Sequence, residues 1–318
     1  MKGTKNAKKI KMIIVTVISL ILAATAVAVA IVGVSYLQNR EFDETFYSVS
    51  SLKVNNKFRI IQISDLHDCS YGHQNTKLVS RISQLEPDII ILTGDCISDS
   101  GAATQGVELC FLLAKIAPTY YIFGNNEIKA NYIHGFSLEE LDAHFDFTGG
   151  IRTPEKLLEE KESLSEKLTE AGVTVLKNNS ATITVGNTHV DIYGVLTSNP
   201  SAFWPYAGDS FNDFLYEDES HFKLTAVHEP LIFETFNPDY WGDLMLAGHT
   251  HGGVMRIPVL GPLYTREGGL FPARSGSYVY GRYEVQSRPL IVSSGLENKN
   301  IFRINNEPEL IIVDVNKF

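Results

Sequence analysis

Five short stretches of this sequence hold residues able to do chemistry. They are Asp65-Leu66-His67, Gly94-Asp95, Gly124-Asn125-Asn126-Glu127, His228-Glu229-Pro230 and Gly248-His249-Thr250-His251. Together they offer Asp65, His67, Asp95, Asn125, His228, His249 and His251 as candidate ligands. Carboxylate, amide and imidazole donors without a thiolate suit divalent ions such as Mn, Fe or Zn. Seven such ligands are enough for two ions, and two ions held about 3.5–4 Å apart need one shared carboxylate. The chemistry implied is that of a two-ion metal centre. Taken singly each stretch is weak, since Asp-x-His also reads as a turn and His-x-His as chance.

The stretches share a position. Each follows a short apolar run: Ile60–Ile63, Ile89–Thr93, Tyr120–Phe123, Leu224–Val227 and Leu244–Ala247. Such runs of β-branched residues predict buried strands. Polar residues at the carboxyl ends of strands are where α/β folds build sites. Alternation along an extended chain would put Asp65 and His67 on one side.

Further elements are expected around them. Helices are predicted near Asn75–Leu85, Val107–Ile116 and Glu155–Ala171. Strands are predicted at Thr45–Val54, Val173–Leu176, Ala181–Val185, His189–Val195, Leu290–Ser293 and Leu310–Val315. Gly186-Asn187 lies between two alternating runs and reads as a hairpin turn. The alternating order argues for an α/β domain over residues 45–318. Two aromatic-rich stretches, near 131–150 and 198–220, interrupt it and read as lids or binding loops.

The five motifs, in this order, resemble the calcineurin-like metallophosphoesterase family, whose pattern is D-x-H, G-D, G-N-H-[DE], a lone His and G-H-x-H. Ser293-Ser294-Gly295-Leu296, Pro308-Glu309-Leu310 and the run Gly248 through Pro258 are similar to its membrane-anchored bacterial subgroup. The resemblance implies a four-layer αββα sandwich with the site at the strand ends. It implies that Asp65, His67 and His251 hold one divalent ion, Asn125, His228 and His249 a second, and that Asp95 bridges them. Attack of a metal-bound hydroxide on phosphorus would follow.

One position departs from the pattern. Asn126 stands where the family has a histidine thought to assist the leaving group. An amide donates a hydrogen bond but cannot act as an acid near neutral pH. Three expectations follow. The substrate has a good leaving group, as in a pyrophosphate or aryl phosphate; or His73 or His134 supplies the proton; or the protein is a phospho-ligand sensor or weakly active homologue. His144, His189 and His221 read as surface or packing residues. Cys69, Cys96 and Cys110 read as small structural side chains.

The amino end has a separate task. Residues Met12 to Leu37 contain no charge over 26 positions. As a helix this spans about 39 Å at 1.5 Å per residue, enough to cross a bilayer with tilt. Ala28-Val29-Ala30 could be a signal-peptidase site, but the apolar stretch exceeds the usual signal length. An anchor at 12–37 is expected, between a basic tail at 1–11 and a short linker at 38–44. Five lysines precede the span, which keeps the amino end cytoplasmic and the domain outside the cell membrane. The chain of 318 residues has a formal charge of −10, and taking away those five lysines leaves −15. That acidic balance disfavours nucleic acid as a partner. A phosphoester substrate, lipid-linked or from the cell envelope, fits a site close to the headgroups.

Overall fold

A computed structural model describes residues 2–98, 103–127, 164–196, 210–235, 241–253, 255–265, 268–272, 276–299 and 303–318. His134, His144, residues 131–150 and residues 198–209 lie outside them.

One sheet is built from β1 (Asp43–Ser51), β2 (Phe58–Ile63), β3 (Ile89–Leu92), β4 (Thr119–Ile122) and β5 (Thr174–Leu176), with the final strand β16 (Glu309–Lys317). Its order is β1-β16-β2-β3-β4-β5. Strands β2 to β5 are parallel, and β16 runs against β2 but along β1. The second sheet holds β6 (Asn179–Val185), β7 (Thr188–Val195), β8 (Phe222–Val227), β9 (Leu244–Ala247), β14 (Gly281–Val285) and β15 (Arg288–Val292). Its order is β14-β15-β9-β8-β7-β6. Val185 pairs with Thr188 across the Gly186-Asn187 turn, as its composition predicts. Two small hairpins, β10 (Arg256–Ile257) with β11 (Gly261–Pro262) and β12 (Tyr264–Thr265) with β13 (Gly269–Leu270), interrupt the path between β9 and β14.

Side-chain alternation divides the core. Ile60 of β2 and Ile89 and Ile91 of β3 face Val190, Ile192, Leu224 and Leu246 of the other sheet. Their neighbours Ile61, Ile63, Ile90 and Leu92 face outward onto Leu78 and Ile82 of helix α2 (Thr76–Gln84) and Leu109 and Leu113 of helix α3 (Thr104–Leu113). On the far side Tyr193, Met245, Ala247 and Val292 pack against Phe211, Phe214, Ile232 and Trp241. These three buried clusters separate helix, sheet, sheet and helix layers, a four-layer αββα sandwich. A strand buried on both faces needs apolar residues at every position, which explains the continuous runs.

Several boundaries move, each for a tertiary reason. Helix α3 begins at Thr104, three residues before the expected start. Asp68 Oδ1 accepts the amide of Gln105 at 2.6 Å and that of Gly106 at 3.2 Å, capping the helix from a distant loop. Strand β1 is set by its in-register pairing with β16, Asp43 opposite Glu309 through Ser51 opposite Lys317. In the second aromatic stretch, residues 210–216 are helical and bury Phe211, Phe214 and Leu215.

Among the described residues one helix, α1 (Lys2–Gln38), is long and apolar enough to cross a membrane, over Lys9–Gln38. Its last turn does not hang free. The Ser35 hydroxyl donates to the Arg303 carbonyl, and Ser35 and Asn39 are buried.

Candidate metal centre

The five motif loops meet at one end of the sandwich, at the carboxyl ends of β2, β3, β4, β8 and β9. The loops after β2 and β3 are zipped together: Asp65 N donates to Gly94 O at 3.0 Å, His67 N to Asp95 O at 2.9 Å and Asp68 N to Cys96 O at 2.9 Å. The chain here is not extended. Asp65, His67, Asp95, His249 and His251 have φ of 51°, 48°, 51°, 72° and 48°. Strand alternation therefore does not bring Asp65 and His67 together; left-handed turns do. Each such residue costs roughly 1–2 kcal/mol. Backbone strain of this kind persists where surrounding contacts impose it, often at functional sites.

Glu127 supplies one such set of contacts. Its fully buried carboxylate accepts the amides of Asp95 (2.9 Å), Cys96 (3.0 Å), Ile97 (3.3 Å) and Gly124 (2.8 Å), and the Tyr121 hydroxyl at 2.5 Å. It ties the loop after β3 to the loop after β4. Burial and the Asp95 charge push its pKa up, and these donors oppose that. Gly124 is required beside it, because a β-carbon there would run into the Asp95 carboxylate.

The candidate ligands form two groups. Asp65, His67 and His251 each offer a ligand atom within 4.8 Å of the others, and so do Asp95, His228 and His249. Asp95 reaches both: its Oδ2 is 3.7 Å from His67 Nε2 and 3.5 Å from His228 Nε2. Asn125 Oδ1 lies 3.1 Å from His228 Nε2 and joins the second group. All seven residues named from the sequence converge here.

The donor atoms fit cations. Asp65 Oδ1 is buried and accepts no hydrogen bond, while Oδ2 takes those of Ser64 Oγ (2.5 Å) and His249 N (2.9 Å). His228 Nδ1 is 2.7 Å from the Thr93 carbonyl and must donate to it. In the neutral ring, Nε2 then presents a lone pair to the cluster, the usual arrangement of a ligating histidine. His249 Nδ1 sits 3.0 Å from that Nε2. Two nitrogens about 2.0–2.1 Å from one ion and at right angles would lie about 3 Å apart.

Charge couples the carboxylates to the imidazoles. Burial disfavours the charged forms of Asp65 and Asp95, yet neighbouring histidines outweigh it and lower both pKa values; for Asp65 the main partner is His251, for Asp95 it is His228. Burial would also lower His228, but the Asp95 and Asp65 charges and the Thr93 carbonyl raise it to about 10. Burial lowers His251 to about 4, despite the attraction of Asp65.

Asn126 faces inward and is 5% exposed. Its amide N donates to Asp95 Oδ1 at 2.9 Å. Its side chain accepts from Asn125 Nδ2 at 3.2 Å, donates to the Ile97 carbonyl at 3.2 Å and lies 3.4 Å from His67 Nδ1. His73 is exposed in the turn before α2. The three cysteines are buried free thiols whose pKa values burial pushes up.

Sequence reasoning missed two neighbours of His251. Glu297 Oε2 is 3.7 Å and Arg303 Nη2 3.5 Å from its Nδ1. Glu297 directly follows the quoted Ser-Ser-Gly-Leu run, but nothing local marks Arg303. Beside His249 opens a small cleft of about 70 Å³, lined by the uncharged residues Pro230, Leu231, Thr265, Ser277, Tyr278 and Val279.

Residues 58–253 match the family described as calcineurin-like phosphoesterase. Phosphodiesterase YaeI of Escherichia coli is 25% identical over 262 residues, covering 81% of this chain and 82% of its own. The uncharacterised metallophosphoesterase YkuE of Bacillus subtilis is 26% identical over 291 residues, covering 87% and 86%. UDP-2,3-diacylglucosamine pyrophosphatase LpxG of Chlamydia trachomatis is 25% identical over 278 residues, covering 80% and 82%. With the family match spanning most of the chain and the ligand clusters in place, the chain belongs to the calcineurin-like phosphoesterases and is a metal-dependent phosphoester hydrolase.

Proposed function

We propose that this hydrolase uses two divalent ions and acts on a lipid-linked or cell-envelope phosphoester at the outer membrane surface. One observation carries the two-ion reading: the Asp95 carboxylate lies between His67 and His228, within 4 Å of a nitrogen from each group. Asp65, His67 and His251 would hold one ion, and Asn125, His228 and His249 the other, with Asp95 shared. Ions so held would make water nucleophilic near neutral pH and neutralise charge on the phosphoryl oxygens.

The chain's own groups do the rest. Thr93 and Asp65 Oδ2 fix His228 and the His249 backbone. Asn126 orients Asn125 and Asp95 from behind, and is a positioning residue that does not donate a proton. The uncharged cleft beside His249 suits the part of the substrate that carries no phosphate. With no histidine at position 126, the reading narrows to esters whose leaving group needs little proton assistance, such as pyrophosphates. The name of LpxG, a UDP-2,3-diacylglucosamine pyrophosphatase, favours that class, and that of YaeI favours a phosphodiester more broadly. Helix α1 would anchor the chain with its lysines in the cytoplasm.

The test uses the full chain in detergent with Mn²⁺. It should cleave an aryl phosphodiester or a nucleotide-sugar pyrophosphate, and Asp95→Asn should abolish turnover. A metal-loaded protein inert toward every ester class, before and after Asn126→His, would favour the alternative of a phospho-ligand sensor.

A further inference from the structure

The hairpin β10–β11 begins at Arg256, five residues beyond the candidate ligand His251. Its tip carries Val259, 104% exposed, and Leu260, 43% exposed; Leu270 of the next hairpin is 71% exposed. Val259 also has φ of 70°, a conformation that β-branched residues rarely adopt. Neither burial in the protein nor local backbone preference accounts for a valine there.

The base of this hairpin is tied on two sides. Arg256 Nε donates to Gly252 O at 3.2 Å, and the Arg256 guanidinium stacks on Tyr280 at 3.6 Å, which joins it to the ligand loop. Arg256 N donates to Ile304 O at 2.9 Å, and Met255 bridges Ile304. The residue before Ile304 is Arg303, whose carbonyl accepts the Ser35 hydroxyl of α1. Ser35 lies inside the apolar span Lys9–Gln38. The hairpin base is thus one residue removed from the point where the span touches the domain.

We propose that the β10–β11 tip, Val259 and Leu260, with Leu270 beside it, docks into the bilayer next to the anchor helix. A domain in contact with the span at Ser35 has that face at the membrane surface, and the exposed apolar residues nearest to it meet acyl chains. Apolar side chains presented at an interface gain what water denies them. The candidate metal centre, whose ligand His251 lies five residues before the hairpin, then faces the headgroup phosphates. This rests on α1 being a membrane anchor and does not depend on turnover.

The experiment labels single cysteines introduced into the full chain in phosphatidylcholine–phosphatidylglycerol vesicles. Cys69, Cys96 and Cys110 are buried, so a polar-environment fluorophore reports the introduced site, with the unsubstituted chain as the blank. Val259→Cys is compared with Leu52→Cys. Leu52 is also apolar and 84% exposed, but lies beyond the far end of β1, about 30 Å from Asp43. Quenching by nitroxide-bearing lipid is expected to be at least several-fold stronger at 259, with a blue-shifted emission. Equal or weaker quenching at 259 overturns the proposal while leaving the anchor in place, provided that alkaline carbonate does not extract the protein. Extraction by carbonate overturns the anchor and the docking together.

Discussion

The side-chain oxygen of Asn126 accepts a hydrogen bond from Asn125 Nδ2 at 3.2 Å, which leaves Asn125 Oδ1 turned toward His228. The residue at the family's histidine position thus steadies a candidate ligand. Asn126→Ala should weaken metal binding by about 10–100-fold, the usual effect of removing a ligand's hydrogen-bond partner. Metal titration of the variant checks this, and unchanged affinity would leave Asn126 without a positioning role.

Asn126→His tests the leaving-group argument. If the new imidazole can protonate a departing oxygen, poor leaving groups should gain about 10²–10⁴-fold and good ones little. A plot of log kcat/KM against leaving-group pKa should flatten in the variant. A uniform change along the series would show that proton assistance is not what the wild type lacks.

Glu127 binds no candidate ion, yet it gathers four amides and one hydroxyl. Glu127→Gln puts an NH₂ where an acceptor is needed, and should destabilise the fold by about 2–4 kcal/mol. Tyr121→Phe removes one donor and should cost about 1–2 kcal/mol. Denaturant unfolding of both variants and of the pair, in one detergent, should show non-additive losses. Additive losses would mean that the network is not coupled.

A pH effect is expected at the opposite end of the second sheet. Burial would raise the pKa of Asp191, but hydrogen bonds from Lys223 (2.6 Å), Thr182 (2.7 Å) and His221 (3.1 Å) outweigh it and lower the value. The unfolded carboxylate titrates near pH 3.9. Its stabilising contribution is therefore complete above about pH 4 and is lost as pH falls through the lower folded value. The stability gap between wild type and Asp191→Asn should be constant from pH 5 to 7 and narrow below about pH 4. A gap that widened on acidification would reverse the assignment.

Much of the centre was legible because ligands must be polar and the strands that carry them are buried on both faces. That contrast marks Asp65, Asp95, Asn125, His228 and His249 at the ends of apolar runs. What was hidden depends on distant contacts. The left-handed φ of Asp65 and His67 follows from the zipper with Gly94 and Asp95. Arg303 reaches His251 from 52 positions away. Asp68 moves the start of α3, and the rings of Phe211 and Phe214 enter a core that exists only once β7, β8 and β9 lie side by side.

The two sheets arrive at the centre as separate contributors. Asp65, His67, Asp95 and Asn125 come from loops of one, and His228, His249 and His251 from loops of the other. Each proposed ion would take ligands from both and so act as a staple across the sandwich. Removing the ions should then loosen cooperativity as well as abolish catalysis, with one half of the molecule melting ahead of the other in a chelator.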